Sequence, residues 1–207
     1  MRYYASPSTE KILIRAGAYA LVQKNKTKIV IPRYSRPHLE SKFAQVEMLV
    51  LLMGSNVGKR EEYLKAAHSA VAALLGAPIA SSQIWETAAW GGVAQGSFLN
   101  QAHRFSSVLD PFHLLQSLKK IEQQIGRRAT DRWGNREIDI DILVYGSQWV
   151  SQPDLQIPHP RLSQRRFALI PMAEIASEWR HPITGQSVGD LLAECLDESS
   201  VQLHHVA

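Results

Sequence analysis

The fold the sequence predicts is an α+β sandwich, a mainly antiparallel sheet with helices packed on it in the ferredoxin-like arrangement. Apolar runs and alternations of strand type are separated by two stretches of helical periodicity, in the order strand, helix, strand, strand, helix, strand. Gly and Pro punctuate the ends of those stretches. No internal repeat and no second globular segment interrupts the order.

Residues 48–53 (MLVLLM) read as a buried strand, far short of the ~18 apolar residues of a membrane span, and Gly54-Ser55-Asn56-Val57-Gly58 ends it. Helical periodicity runs from about Arg60 to Leu75, with Leu64, Ala67, Val71, Leu74 and Leu75 on one stripe, and Gly76 and Pro78 stop it. A strand is expected at about 79–86, then a glycine-bearing loop from Trp90 to Gly96. Residues 98–106 alternate as a strand that turns Phe98, Asn100, Ala102 and Arg104 to one side. Asp110 can cap the next helix with Pro111 in its first position. Leu114, Leu115, Leu118, Ile121 and Ile125 form its apolar face, and Gly126 closes it. An Arg-rich loop (127–136), a D-x-D strand and a proline-framed stretch (155–161) follow. The chain then offers a helix-prone region at 163–177 and a short helix at Gly189–Cys195.

Of the 207 residues, 45% are hydrophobic and 20% charged, as in soluble globular proteins. A single cysteine, Cys195, excludes an internal disulfide and fits a reducing, cytoplasmic setting. The net charge of +4 is unevenly held: residues 1–47 carry nine Lys and Arg against three Asp and Glu, residues 48–207 fourteen against sixteen. The basic character belongs to the first segment, so it does not point to nucleic acid binding by the rest. That segment carries Pro7, Pro32 and Pro37, lacks a signal peptide's apolar stretch, and has a mitochondrial-type presequence as its alternative reading. The expectation is a basic extension at 1–47, disordered or untranslated with initiation at Met48, and a functional domain at 48–207.

Chemistry concentrates at Arg132-Trp133-Gly134-Asn135-Arg136-Glu137-Ile138-Asp139-Ile140-Asp141-Ile142. On a strand, Asp139 and Asp141 share one face, roughly 7 Å apart at about 3.3 Å per residue, while Ile138, Ile140 and Ile142 share the core face. An ordinary half-solvated strand has the same alternation. Asp is depleted in strands, however, and like charges on one face repel, so a bound cation is the simplest reason for two. Two oxygen donors beside Arg132 and Arg136 suit magnesium holding a polyphosphate.

Four motifs occur in order: G-S-N-x-G at 54–58, F-L-N at 98–100, G-R…R-W-G-x-R-x-I-D-I-D at 126–141, and I-P-H-P-R-L at 157–162. Together they closely resemble the hydroxymethyl-dihydropterin pyrophosphokinases of folate biosynthesis, over about residues 48–195. The resemblance implies transfer of pyrophosphate from ATP to the hydroxymethyl oxygen of a reduced pterin, with release of AMP. It implies two magnesium ions on Asp139 and Asp141, with Arg127, Arg136 and Asp141 as catalytic groups. On the nucleotide side it implies Glu122, Arg127, Arg132, Trp133, Arg136, Ile142, His159 and Arg165. Around the pterin it implies Asn56, Thr87, Ala88, Trp90, Phe98, Asn100, Asp139 and Phe167, where aromatic walls and an amide would recognise a flat heterocycle. Trp133 would close the site as a lid. The expected partners are ATP and the pterin alone, with no nucleic acid or membrane, and a monomeric chain. Pro160 after the histidine and Asp154 depart from some relatives' pattern.

Two other functions compete. A nucleotidyltransferase also joins a Gly-Ser turn to a D-x-D strand, but expects them close in sequence, whereas Ser55 and Asp139 are far apart. A nucleic-acid module could use Arg127, Arg128, Arg132 and Trp133, but no wider basic stripe accompanies them.

Overall fold

In the computed structural model the described residues are 11–15, 18–22, 47–91, 94–128 and 134–205. The chain divides into two units, Met1–Phe43 and Ala44–Ala207. Within the first, β1 (Lys11–Arg15) pairs antiparallel with β2 (Ala18–Val22). The second runs β3 (Glu47–Ser55), α1 (Arg60–Leu75), β4 (Ala80–Ser81), β5 (Trp85–Thr87), β6 (Phe98–Ser107), α2 (Pro111–Ile125) and β7 (Asp139–Tyr145). A hairpin of β8 (Val150–Gln152) and β9 (Leu155–Ile157), then α3 (Arg166–Ala176), α4 (Val188–Ala193) and β10 (Val201–Leu203) complete it.

The main sheet has the order β10-β5-β6-β3-β7, with β4 also on β6, and its pairings are antiparallel. This is the predicted ferredoxin-like path. Its interior strand β3, flanked by β6 and β7, is buried on both faces, which is why MLVLLM reads as one apolar run rather than an alternation. Leu49, Leu51 and Met53 meet α1 and α2 through Leu64, Val71, Leu114 and Leu118. Val50 and Leu52 meet α3 and α4 through Leu169, Met172, Val188 and Leu191. Asp110 caps α2 as its sequence suggests, its Oδ1 accepting from the Phe112 and His113 amides at 3.0 and 3.2 Å, and Gly126 ends the helix in the left-handed region.

Four expectations need correction. The strand expected at 79–86 is two short pieces, because the register passes from Ser81↔His103 to Trp85↔Asn100 with one extra residue on the 81–85 side. Ser82 covers the break: its amide donates to the Ala102 carbonyl and its Oγ accepts from the Ala102 amide, both at 2.9 Å. Leu74 is 40% exposed and off the buried stripe of α1, while Leu75 beside it still packs against the core. Residues 162–164 form a 3₁₀ turn, so α3 starts at Arg166 rather than at 163. Finally, β10 adds a strand at the sheet edge that the sequence reading did not include.

His103 lies buried between β6 and α1, its Nδ1 sharing a hydrogen bond of 2.8 Å with Ser81 Oγ and its ring edge-on to His68 at 4.8 Å. Burial first, and the neighbouring His68 second, push its pKa from 6.5 down to about 4. The unfolded chain therefore takes up a proton near 6.5 that the folded chain refuses until about 4. Stability present at neutral pH is lost as pH falls through that window, by up to about 3 kcal/mol at about 1.4 per pKa unit. Thermal unfolding should show a midpoint falling between pH 7 and pH 5, with a shallower fall in His103→Gln. An unchanged slope would place the acid sensitivity elsewhere.

Candidate active site

Period-two geometry turns the side chains of β7 as the sequence predicts. Ile138, Ile140 and Ile142 are buried in the core with α2, and Asp139 and Asp141 look out together from the opposite face. They line a cavity of about 590 Å³, open mouth included. Leu52 and Gly54 of β3 and Phe98 and Asn100 of β6 also line it. Thr87, Ala88, Trp90, Arg136, Arg165 and Phe167 complete the lining.

The acidic side of the cavity is a web of paired charges. Arg127 Nη1 donates to Asp139 Oδ1 and Arg136 Nη1 to Asp139 Oδ2, each at 2.6 Å. Burial opposes ionisation of Asp139, but Arg136 and then Arg127 outweigh it and hold the pKa below the usual carboxylate value. Among the described residues Asp141 has one such partner, Arg165 Nη1 at 3.4 Å. Burial and the charge of Asp139 push its pKa from 3.8 up to about 6. Beneath them Glu122 is almost fully buried. Its Oε1 accepts from the Ile140 amide at 2.7 Å, and its Oε2 meets Arg127 at 2.7 Å and Lys119 at 3.1 Å. Two hard oxygen ligands on one face, with no third His, Cys, Asp or Glu grouped with them among the described residues, fit magnesium, which completes its shell with water and phosphate oxygens.

His159 and Arg165 form an anion-seeking corner. The ring's Nδ1 faces the Arg161 amide at 3.2 Å and its Nε2 faces Arg165 Nη1 at 3.1 Å. Burial, then Arg165 and Arg161, hold the His159 pKa near 4, so the ring is neutral at pH 7. A neutral imidazole has one acceptor nitrogen, yet both of its nitrogens here face donors. An anion between His159 and Arg165 would accept from both. The Arg165 guanidinium also lies over the Trp90 and Phe167 rings, 5.2 and 5.5 Å from their centres.

The same cavity holds an amide and two phenyl rings, those of Asn100, Phe98 and Phe167. Asn100 is 3% exposed and paired across the sheet with Gly54, and its Nδ2 donates to Thr87 Oγ1 at 2.8 Å, which fixes its amide in place.

Most residues expected at the site thus converge on it: Thr87, Ala88, Trp90, Phe98, Asn100, Arg136, Asp139, Asp141, Arg165 and Phe167 line it. Arg127 and His159 stand one contact behind. Three expectations come out differently. Glu122 spends both oxygens on the protein, so it props Arg127 and the D-x-D strand rather than facing the cavity. Ile142 puts its side chain in the core, leaving only main chain of the sheet's end strand to meet a nucleotide. Asn56 is not among the lining residues. It ties two loops together, its Oδ1 accepting from the Arg136 amide at 2.8 Å and its Nδ2 donating to Asn135 and Gln95 at 2.9 and 3.2 Å. Ala88, expected around the pterin, lines the cavity but spends its amide on the Ser200 carbonyl at 3.1 Å. Arg132 and Trp133 lie outside the described residues. Sequence reasoning passed over Leu52, Gly54 and Arg161; the last has its guanidinium 5.7 Å from the Trp90 ring, and only its place next to I-P-H-P signalled it.

The model of a family described as 7,8-dihydro-6-hydroxymethylpterin-pyrophosphokinase matches residues 50–177. Among curated relatives, the 2-amino-4-hydroxy-6-hydroxymethyldihydropteridine pyrophosphokinase of Aquifex aeolicus is 40% identical over 131 residues, covering 63% of this chain and 81% of the relative. The enzyme of that name from Methylorubrum extorquens is 38% identical over 151 residues, covering 72% and 94%. Among solved structures, an HPPK-DHPS in complex with substrates superposes with a TM-score of 0.55 at 18% identity, over 72% of this chain and 43% of that one. Wild-type Plasmodium falciparum HPPK-DHPS with pteroate gives 0.59 at 15%, over 72% and 42%. At that identity the likeness speaks for the fold, and this chain spans less than half the length of those bifunctional proteins.

Proposed function

This chain belongs to the 7,8-dihydro-6-hydroxymethylpterin-pyrophosphokinase family, whose reaction carries the pyrophosphoryl group of ATP to the hydroxymethyl group of a reduced pterin in folate biosynthesis, and we propose that it does so with Asp139 and Asp141 as ligands of two magnesium ions. One observation supports this assignment above the others. A single cavity joins a buried amide and the rings of Phe98 and Phe167, suited to a pterin, to a carboxylate pair with arginine partners, suited to a metal-bound triphosphate.

Arg127 and Arg136 then have two successive partners. Without nucleotide they neutralise Asp139. With the triphosphate in place, the same guanidinium forks take phosphate oxygens, bidentately and without change of charge. Bound magnesium supplies charge neutralisation and alignment of the phosphates. His159 and Arg165 hold phosphate oxygens at the opposite corner, and Phe98, Phe167 and Asn100 orient the pterin hydroxyl toward the β-phosphorus. The hydroxyl oxygen bonds to that phosphorus, the bond to the α-phosphate oxygen breaks, AMP departs, and Asp141 receives the hydroxyl proton.

The same reading makes residues 48–207 the catalytic domain, a monomer of the cytoplasm, with residues 1–47 a dispensable extension. The family match lies wholly within 48–207, and no described helix is long and apolar enough to cross a membrane. Incubation with ATP, magnesium and 6-hydroxymethyl-7,8-dihydropterin should yield AMP and the pterin diphosphate without ADP, and chelation should stop it. A chain lacking residues 1–43 should turn over at the parent rate and elute as a monomer. ADP as the main product, or turnover that survives chelation, would refute the mechanism; lost activity on truncation would give the extension a catalytic part.

A further inference from the structure

We propose that Glu86 is a positioning residue for the pterin, a carboxylate clamp that fixes the distance between the cavity wall at Thr87 and the aromatic face at Phe98. The inference rests on the pterin assignment and adds to it. Thr87 ends β5 and Phe98 begins β6, and the loop between them carries Ala88 and Trp90 of the cavity lining. Both ends of that loop are tied together on the sheet face turned away from the cavity. Glu86 Oε1 accepts from Ser97 Oγ at 2.5 Å and from Arg60 Nη1 at 2.8 Å, and Arg60 Nη1 also donates to the Ser97 carbonyl at 2.9 Å. One carboxylate thus joins the residue before Thr87, the residue before Phe98 and the first turn of α1. Hydrogen bonds from Ser97 and then Arg60 hold its pKa below the usual carboxylate value, so the clamp is charged at neutral pH.

The C-terminal segment braces the same point from outside. β10 pairs with β5, placing Val201 opposite Thr87 and Gln202 opposite Glu86. His204 then turns inward, with its amide on the Ile84 carbonyl at 2.9 Å, Nε2 on Glu61 at 2.7 Å and Nδ1 3.9 Å from Glu86. None of these residues touches the triphosphate side of the cavity, which is built on β7 and the end of α2. The clamp should therefore act on one substrate and not the other.

Steady-state kinetics of Glu86→Ala and Glu86→Gln test this, together with titration of the pterin against enzyme saturated with a non-hydrolysable ATP analogue. Glu86→Ala should raise the pterin KM and dissociation constant about tenfold, with kcat and the ATP KM within about twofold of the parent. Glu86→Gln keeps an acceptor oxygen and should recover most of the affinity. An unchanged pterin KM in Glu86→Ala would overturn the proposal. So would equal losses for both substrates with a lowered unfolding midpoint, the mark of a merely structural role. A parent enzyme without turnover on the pterin would instead overturn the assignment of that site.

Discussion

Asp141→Asn is expected to unfold at a higher temperature than the parent protein while turning over at least about a thousandfold more slowly. Burial and the neighbouring Asp139 raise the Asp141 pKa from 3.8 to about 6, so the fold disfavours this charge. The sign follows from linkage. The unfolded chain loses the proton near 3.8 and the folded one near 6, so the folded state weakens as pH rises through that window and bears the full penalty at pH 7. At about 1.4 kcal/mol per pKa unit the penalty is a few kcal/mol, which an amide of the same shape removes. Asp139→Asn should be equally inactive but unfold earlier, because it leaves Arg136 without its ion-pair partner and Arg127 with Glu122 alone. Opposite stability shifts with a common loss of turnover would show that Asp141 is kept at a cost to stability because catalysis needs it. Melting curves in the absence of nucleotide decide the point. A lowered midpoint for Asp141→Asn would mean that Arg165 depends on that charge more than burial penalises it.

How far the chain could be understood before its structure depended on what each residue touches. The D-x-D strand was legible because period-two alternation is local: Ile138, Ile140 and Ile142 enter the core together, and that alone sends Asp139 and Asp141 to the other face. Asp110 and Gly126 were legible for the same reason, since a cap involves only neighbouring residues. Glu122 was not. On a helical wheel it looks like any surface carboxylate, and only the antiparallel return of β7 buries it against the Ile140 amide and Arg127. Asn56 is a similar case, because its partners Gln95 and Asn135 are brought to it by two separate loops. β10 escaped notice because three residues at the end of a polar segment carry no pattern of their own; the free edge of β5 makes them a strand. Local periodicity reveals elements and faces, and long-range pairing decides which polar residues serve as scaffold and which face the ligand.

Gly54→Ala is expected to abolish pterin binding while leaving the nucleotide side nearly intact. Gly54 pairs with Asn100 of β6 on one side and with Asp139 of β7 on the other, so the three form one row across adjacent strands. With strands about 4.8 Å apart, the outer two are separated by roughly 10 Å, enough for a ring to lie over a residue that has no side chain. The φ of Gly54 is not among the positive values in this chain, so the need for glycine there is one of space rather than of backbone conformation. A Cβ at that position would stand 2.7 Å from Asn100 Oδ1. Asn100 cannot move aside cheaply, being buried and bonded to Thr87 Oγ1. The methyl group would therefore both fill the slot and turn away the amide that recognises the ring, and pterin affinity should drop at least about a hundredfold. ATP affinity should stay within about threefold, since Asp139 keeps its arginines and its face. Calorimetric titration with each substrate separates the two effects. Undiminished pterin binding would move the ring away from this row and the hydroxyl away from Asp141, and the roles given to Asn100, Phe98 and Phe167 would fall together.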